Sequence, residues 1–93
     1  MSIPAERLRR LTDLAHGAAR AGRDDRARRY VRLARRIAER NRLSMPTRLK
    51  RFTCPACDAY LVPGKNARFR TQDGHVVVTC DCGAQQRYPY DDR

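Results

Sequence analysis

Cys54-Pro55-Ala56-Cys57 and Cys80-Asp81-Cys82-Gly83 are the two stretches whose reading decides the fold. Two close cysteine pairs lie 22 residues apart, the spacing of a four-thiolate zinc site: each pair sits on a tight turn, and the intervening strands bring the turns together. Cys54, Cys57, Cys80 and Cys82 are the expected ligands of one structural Zn²⁺. The second pair is C-x-C, so its turn must be the tighter one, with Gly83 free to take a backbone angle closed to other residues. Three other readings are weaker. Two disulfides need an oxidising compartment, and the chain shows no export signal. A redox C-x-x-C leaves the second pair without a role. His75 as a substitute ligand lies in Gln72-Asp73-Gly74-His75, which reads as a turn.

Between the pairs, Asn66 to Thr71 alternates, Asp73-Gly74 turns, and His75 to Thr79 is β-branched, so a hairpin is expected, with Ala84 to Tyr88 as a third antiparallel strand. About 40 residues with so few large apolar side chains cannot fold unaided, so the metal must supply folding energy. Four protein ligands close its coordination shell, which argues against metal-assisted hydrolysis.

Upstream, the sequence changes character. Pro4 and Glu6 suit the first turn of a helix, and Leu8, Leu11, Leu14, Ala15 and Ala18 recur at three- and four-residue spacing. Ala21-Gly22 reads as a helix stop and Asp24-Asp25 as a new start, a connection short enough to set two helices antiparallel. The second helix is expected from about Asp25 to Arg42, since Pro46 forbids continuation past Met45. Ala27, Tyr30, Val31, Leu33, Ala34, Ile37 and Ala38 share one arc of it, and Arg28, Arg29, Arg32, Arg35, Arg36, Arg40 and Arg42 fill the other. The expected architecture is therefore a small α+β chain: a basic helical hairpin over residues 1–45, then a linker and a zinc ribbon with a three-stranded antiparallel sheet over residues 46–93.

Charge divides the same way. Of the 93 residues, 21 are Lys or Arg and 10 Asp or Glu; residues 1–50 carry +10 of the net +11 and residues 51–93 only +1. Four thiolates around one Zn²⁺ sum to about −2, which leaves the loaded ribbon half near −1 and the positive charge to the hairpin. Like charges at i,i+4 such as Arg28/Arg32 and Arg32/Arg36 repel, and a polyanion that removes the repulsion best explains their accumulation. Lys65, Asn66, Arg68 and Arg70, with Arg87 beside Tyr88-Pro89-Tyr90, interleave charge with rings in the manner that suits RNA. The expected RNA-binding set is thus Arg28, Arg29, Arg32, Arg35, Arg36, Lys65, Asn66, Arg68, Arg70 and Arg87. Two short alanine-rich helices bury little between them, so Leu8, Leu11, Leu14, Leu33 and Ile37 are expected to dock onto a protein partner, with an ordinary internal core as the competing reading. So short a chain cannot build a deep catalytic cleft, and no run of 18 apolar residues could span a membrane. A cytoplasmic protein without a catalytic residue of its own is expected.

A basic two-helix hairpin followed by Cys54-Pro55-Ala56-Cys57, Leu61-Val62-Pro63-Gly64-Lys65-Asn66-Ala67-Arg68-Phe69-Arg70, Val76-Val77-Val78-Thr79-Cys80 and Arg87-Tyr88-Pro89-Tyr90 resembles archaeal ribonuclease P protein component 4, the family that includes the eukaryotic Rpr2 proteins. The likeness covers essentially the whole chain. It implies a non-catalytic subunit of the ribonucleoprotein that removes the 5′ leader from precursor tRNA. Its partners would be the catalytic ribonuclease P RNA, whose substrate-recognition domain it supports, precursor tRNA, and another ribonuclease P protein contacted through the helices. From the residues alone, a zinc-ribbon adaptor in transcription or ribosome assembly remains the alternative.

Overall fold

The computed structural model describes residues 3–89. Helices α1 (Ile3–Arg20) and α2 (Asp24–Arg40) form the hairpin, a short α3 (Thr47–Arg51) follows, and strands β1 (Ala67–Gln72), β2 (His75–Cys80) and β3 (Gln85–Pro89) make an antiparallel sheet in the order β1-β2-β3. None of these helices is long and apolar enough to cross a membrane. The α+β class, the helical hairpin and the three-stranded ribbon all stand as the sequence predicts.

Local chemistry explains the joints. At the end of α1, Gly22 takes φ +80° while its N–H reaches Ala19 O and that of Arg23 reaches Ala18 O, at 3.1 and 2.8 Å, the paired bonds of a Schellman stop. The start of α2 differs from expectation: Arg23 holds the N-cap position without a side-chain bond, and Asp24 and Asp25 lie inside the first turn, acting on the helix dipole. Helix α2 also ends two residues early, at Arg40, because Arg42 turns into the left-handed region at φ 53°. Asp73-Gly74, both at positive φ, closes the β1–β2 hairpin as a two-residue turn between the paired Gln72 and His75. The linker contains α3, which the sequence reading missed; five residues are too few to show a helical period.

Two cores result. In the first, Leu8, Leu11, Ala15, Ala18 and Ala19 of α1 meet Ala27, Val31, Ala34 and Ala38 of α2, and Leu49 of α3 and Tyr60 join the same cluster. The hairpin thus folds back onto the C-terminal half. The second core, inside the ribbon, holds Cys54, Ala59, Leu61, Ala67, Val78 and Cys80. Gln86 ties β3 to the chain before the first cysteine, its Nε2 donating to Arg51 O and Thr53 O, each at 3.2 Å.

Candidate metal centre and nucleic-acid surfaces

The two cysteine turns converge. In the first, Asp58 N–H donates to Cys54 O (3.0 Å) and Cys54 N–H to Ala59 O (2.9 Å); in the second, Gly83 N–H donates to Cys80 O (2.9 Å), with Gly83 at φ +98° as the shortened pair requires. The four Sγ atoms lie within 4.8 Å of one another. Cys54 Sγ is 3.5 Å from Cys82 Sγ and Cys57 Sγ is 3.7 Å from Cys80 Sγ. Those separations are far beyond a disulfide's roughly 2.05 Å and match the S···S edge of about 3.8 Å in a tetrahedron with 2.3 Å metal–sulfur bonds. The donor set therefore fits one tetrahedral, thiophilic cation. His75 stands apart, its Nδ1 3.0 Å from Asp73 O in the turn.

Burial works against thiolate formation at Cys54, Cys57 and Cys80 but is offset unequally. At Cys57, the Ala59 N–H and the neighbouring thiols donate to the sulfur and bring its pKa down to about 7 despite that burial. At Cys80, burial pushes the thiol up to about 12, with the other thiols adding to the rise and the Cys82 N–H opposing it. Cys54 is raised for the same leading reason. Of these three thiols Cys57 is the first to ionise, and a bound cation would displace the remaining protons.

Around this centre the arginine face of α2 divides into two stripes. At about 100° per residue, Arg28, Arg32 and Arg35 fall within about 60° of each other, while Arg29, Arg36 and Arg40 form a second stripe beside them. The first stripe grips the cysteine turn. Arg28 Nε donates to Cys57 O (3.2 Å), Arg32 Nε to Asp58 Oδ2 (3.1 Å), and Arg35 to Asp58 Oδ1, Thr53 Oγ1 (3.1 Å) and Cys54 O (3.2 Å). The second stripe is exposed and makes no ion pair among the described residues.

Asp58 is the hub that sequence reasoning missed. Its signal was present in retrospect: an Asp directly after the C-x-x-C, at φ 62°, a conformation that Asp tolerates better than most residues. Thr53 and Tyr60 were missed as well, because only the fold brings them to α2 and α1.

Three further expectations change. Asn66 was placed among the RNA contacts, but its amide is taken by backbone: Oδ1 accepts from Val62 N–H (2.7 Å) and Nδ2 donates to Tyr60 O (2.9 Å). Lys65 caps α1, donating to Ala19 O and Arg20 O at 3.3 and 3.0 Å. Leu8 and Leu11, expected to meet a partner, are 2% and 8% exposed because they face α2 and the C-terminal half; of that set Leu14 and Leu33, at 44% and 42%, reach the surface, with Ile37 half-buried beside them.

On the sheet, register puts Arg70, Val77 and Arg87 side by side across all three strands, with Arg68 two residues along on the same outward face. Tyr88 points to the other face, where it packs on the ribbon core beneath the Arg51 guanidinium, 4.6 Å from the ring centre. Tyr90 lies outside the described residues. His16 packs edge-on against Tyr60, ring centres 5.4 Å apart.

The comparisons agree with this geometry. The family described as RNAse P Rpr2/Rpp21/SNM1 subunit domain matches residues 7–83. Ribonuclease P protein component 4 of Halobacterium salinarum is 70% identical over 89 residues, covering 96% of both chains, and the protein of that name from Methanocaldococcus jannaschii is 46% identical over 91 residues, covering 94% of this chain and 71% of its own. Among solved structures, a chain in "cryo-EM structure of archaeal Ribonuclease P with mature tRNA" superposes with a TM-score of 0.88 at 46% identity, covering 94% of this chain and 76% of that one. A second, "Pfu Rpp21 structure and assignments", gives 0.64 at 40%, covering 94% and 99%. The hairpin, the ribbon and the four-cysteine cluster thus occur together in a chain that belongs to the Rpr2/Rpp21 family of ribonuclease P protein subunits.

Proposed function

We propose that this chain is the non-catalytic, RNA-binding zinc subunit of a ribonuclease P that removes the 5′ leader from precursor tRNA in the cytoplasm, the RNA being the catalyst. The observation that carries the reading is the second arginine stripe, Arg29, Arg36 and Arg40, exposed on α2 beside the exposed Leu33 and without an ion pair among the described residues. A stripe of guanidiniums without internal partners suits phosphates, which it can hold bidentately. Arg68, Arg70 and Arg87 offer a second basic surface on the outward face of the sheet. Leu14, Leu33 and Ile37, lining one groove with Arg7, Arg10 and Arg40, supply an apolar strip of the kind a second protein subunit would cover.

Zn²⁺ fits the four thiolates and, when bound, would supply folding energy to the ribbon. The bound centre would carry about −2 and, with Asp58, about −3, opposite the three guanidiniums of Arg28, Arg32 and Arg35. The first stripe is thereby assigned to neutralising the centre and fixing the angle between α2 and the ribbon. The second stripe, Arg29, Arg36 and Arg40, is left for RNA.

Purification of the tagged chain from native extract tests the assignment. Recovery of a tRNA-processing RNA with precursor tRNA cleavage activity is expected. Recovery of RNA polymerase or ribosomal subunits in its place would redirect the assignment to a transcription or ribosome-assembly adaptor, and cleavage by the nuclease-free chain alone would refute the RNA catalyst.

A further inference from the structure

A slot of about 410 Å³ opens where α1, α3 and the chain before β1 meet, walled by Phe52, Val62 and Pro63 and flanked by His16, Arg20 and Arg48. It shares no lining residue with either arginine stripe of α2. Its size is at the lower end of small-molecule sites, roughly 300–1,000 Å³, enough for one small ligand and too little for a helix or a duplex groove.

The chemistry of its polar groups is one-sided. Arg48 and the Tyr60 hydroxyl line the slot together, and a guanidinium only donates, so its charge favours the phenol oxygen as an acceptor. The Tyr60 hydroxyl lies 3.2 Å from His16 Nδ1, and with the phenol donating there the neutral imidazole keeps Nε2–H as its remaining polar group. Burial, Arg48 and Arg20 all hold His16 below its usual pKa, in keeping with the neutral ring. Arg20, Arg48 and His16 therefore present donors only, and Lys65 at the end of α1 adds a third positive charge close by, against the single carboxylate of Asp13, which pairs with Arg48 at 3.0 Å. The walls opposite are apolar. A complementary ligand has a flat face that tolerates desolvation, acceptors along its edge and a negative charge.

We propose that this slot receives one unstacked nucleotide of single-stranded RNA, its base against Phe52, Val62 and Pro63 and its phosphate against Arg20 and Arg48. The proposal rests on the RNA-binding reading above and adds to it a discrimination: α2 and the sheet meet phosphates of any RNA, whereas the slot requires a base free of its stack.

The test is an NMR titration of the metal-loaded full chain with an adenosine pentanucleotide and, separately, a short RNA duplex. The pentanucleotide is expected to shift His16, Phe52 and Val62 saturably, and the duplex to shift α2 and the sheet while leaving the slot unmoved. Val62→Trp, which fills the slot, should weaken pentanucleotide binding roughly tenfold and duplex binding by less than about twofold. Arg20→Gln, an exposed change that decides the matter should Val62→Trp fail to fold, should lower the single-strand salt slope by about 0.7.

If the slot signals stay still while those of α2 move, or if both variants bind the pentanucleotide as the parent does, the slot proposal fails and the RNA-binding reading stands. Signals unmoved everywhere by either RNA overturn both. Slot signals that answer to an apolar acidic peptide and not to the pentanucleotide would assign the slot to a protein side chain and overturn the proposal.

Discussion

The hairpin and the ribbon solve one problem in two ways. Both are too poor in large apolar side chains to be secure alone. The hairpin core is mostly alanine, with Leu8, Leu11 and Val31 as its larger members, and it is completed by Leu49 and Tyr60 from the other half. The ribbon core has Leu61 and Val78 as its largest aliphatic members, and two of its six buried residues are the metal-ligating candidates Cys54 and Cys80. Close helix packing through small residues holds the first, and the second brings four sulfur atoms together in the arrangement that fits a cation. Arg28, Arg32 and Arg35 join them, so the charge that looked uniform along α2 is divided between a stripe bonded to the cysteine turn and an exposed one.

Breaking the metal centre should have the largest effect. Cys57→Ser removes a thiol whose pKa is held at about 7; with structural zinc worth on the order of 10 kcal/mol in small domains, the ribbon should lose its metal and its sheet signals while the helical signal largely persists, as zinc content and circular dichroism will report. A sheet that survives would equate the two regions. Next come the stripes. Arg29→Glu with Arg36→Glu should weaken RNA binding by more than about tenfold and lower the salt slope by roughly 1.5, with thermal stability nearly unchanged.

Arg35→Ala should do the converse. It strips Asp58 and Cys54 O of a donor, costing about 2 kcal/mol of stability in a denaturant titration of the metal-loaded chain, with a smaller change in RNA affinity. If Arg35→Ala and the double reversal had the same effects, the division of α2 into two stripes would be wrong.

The smallest effect concerns pH. Burial, with Arg48 and Arg20, lowers the His16 pKa in the folded chain, so the unfolded chain binds the proton more readily. The stability this contributes is complete above about 6.5 and is lost as pH falls through the lower folded value. His16→Gln should flatten that part of the pH profile measured by thermal denaturation.

Much of this architecture was legible before any coordinates. Ala21-Gly22 marked the helix junction, Asp73-Gly74 the strand turn, and the cysteine spacing the ribbon, because each depends on chemistry within a few residues. What was illegible depends on distant partners. Periodicity placed Leu8, Leu11, Leu14 and Leu33 on apolar stripes but could not tell which edge of each stripe the other half of the chain covers. In the same way, seven arginines on one arc looked alike until the first cysteine turn, with Cys57 O taking Arg28 and Asp58, 23 residues beyond Arg35, taking Arg32 and Arg35, separated those three from the rest. Asn66 carried no mark that its amide would be consumed by Val62 and Tyr60.

Hydrogen exchange before and after chelation is the most direct test of the central claim that a metal holds the ribbon and apolar packing the hairpin. The account predicts that amides of Val77 and Val78 lose their protection at the chelator concentration that removes zinc, while those of Ala15 and Val31 keep a substantial part of theirs. Protection of Val77 and Val78 that persists in the metal-free chain would contradict it.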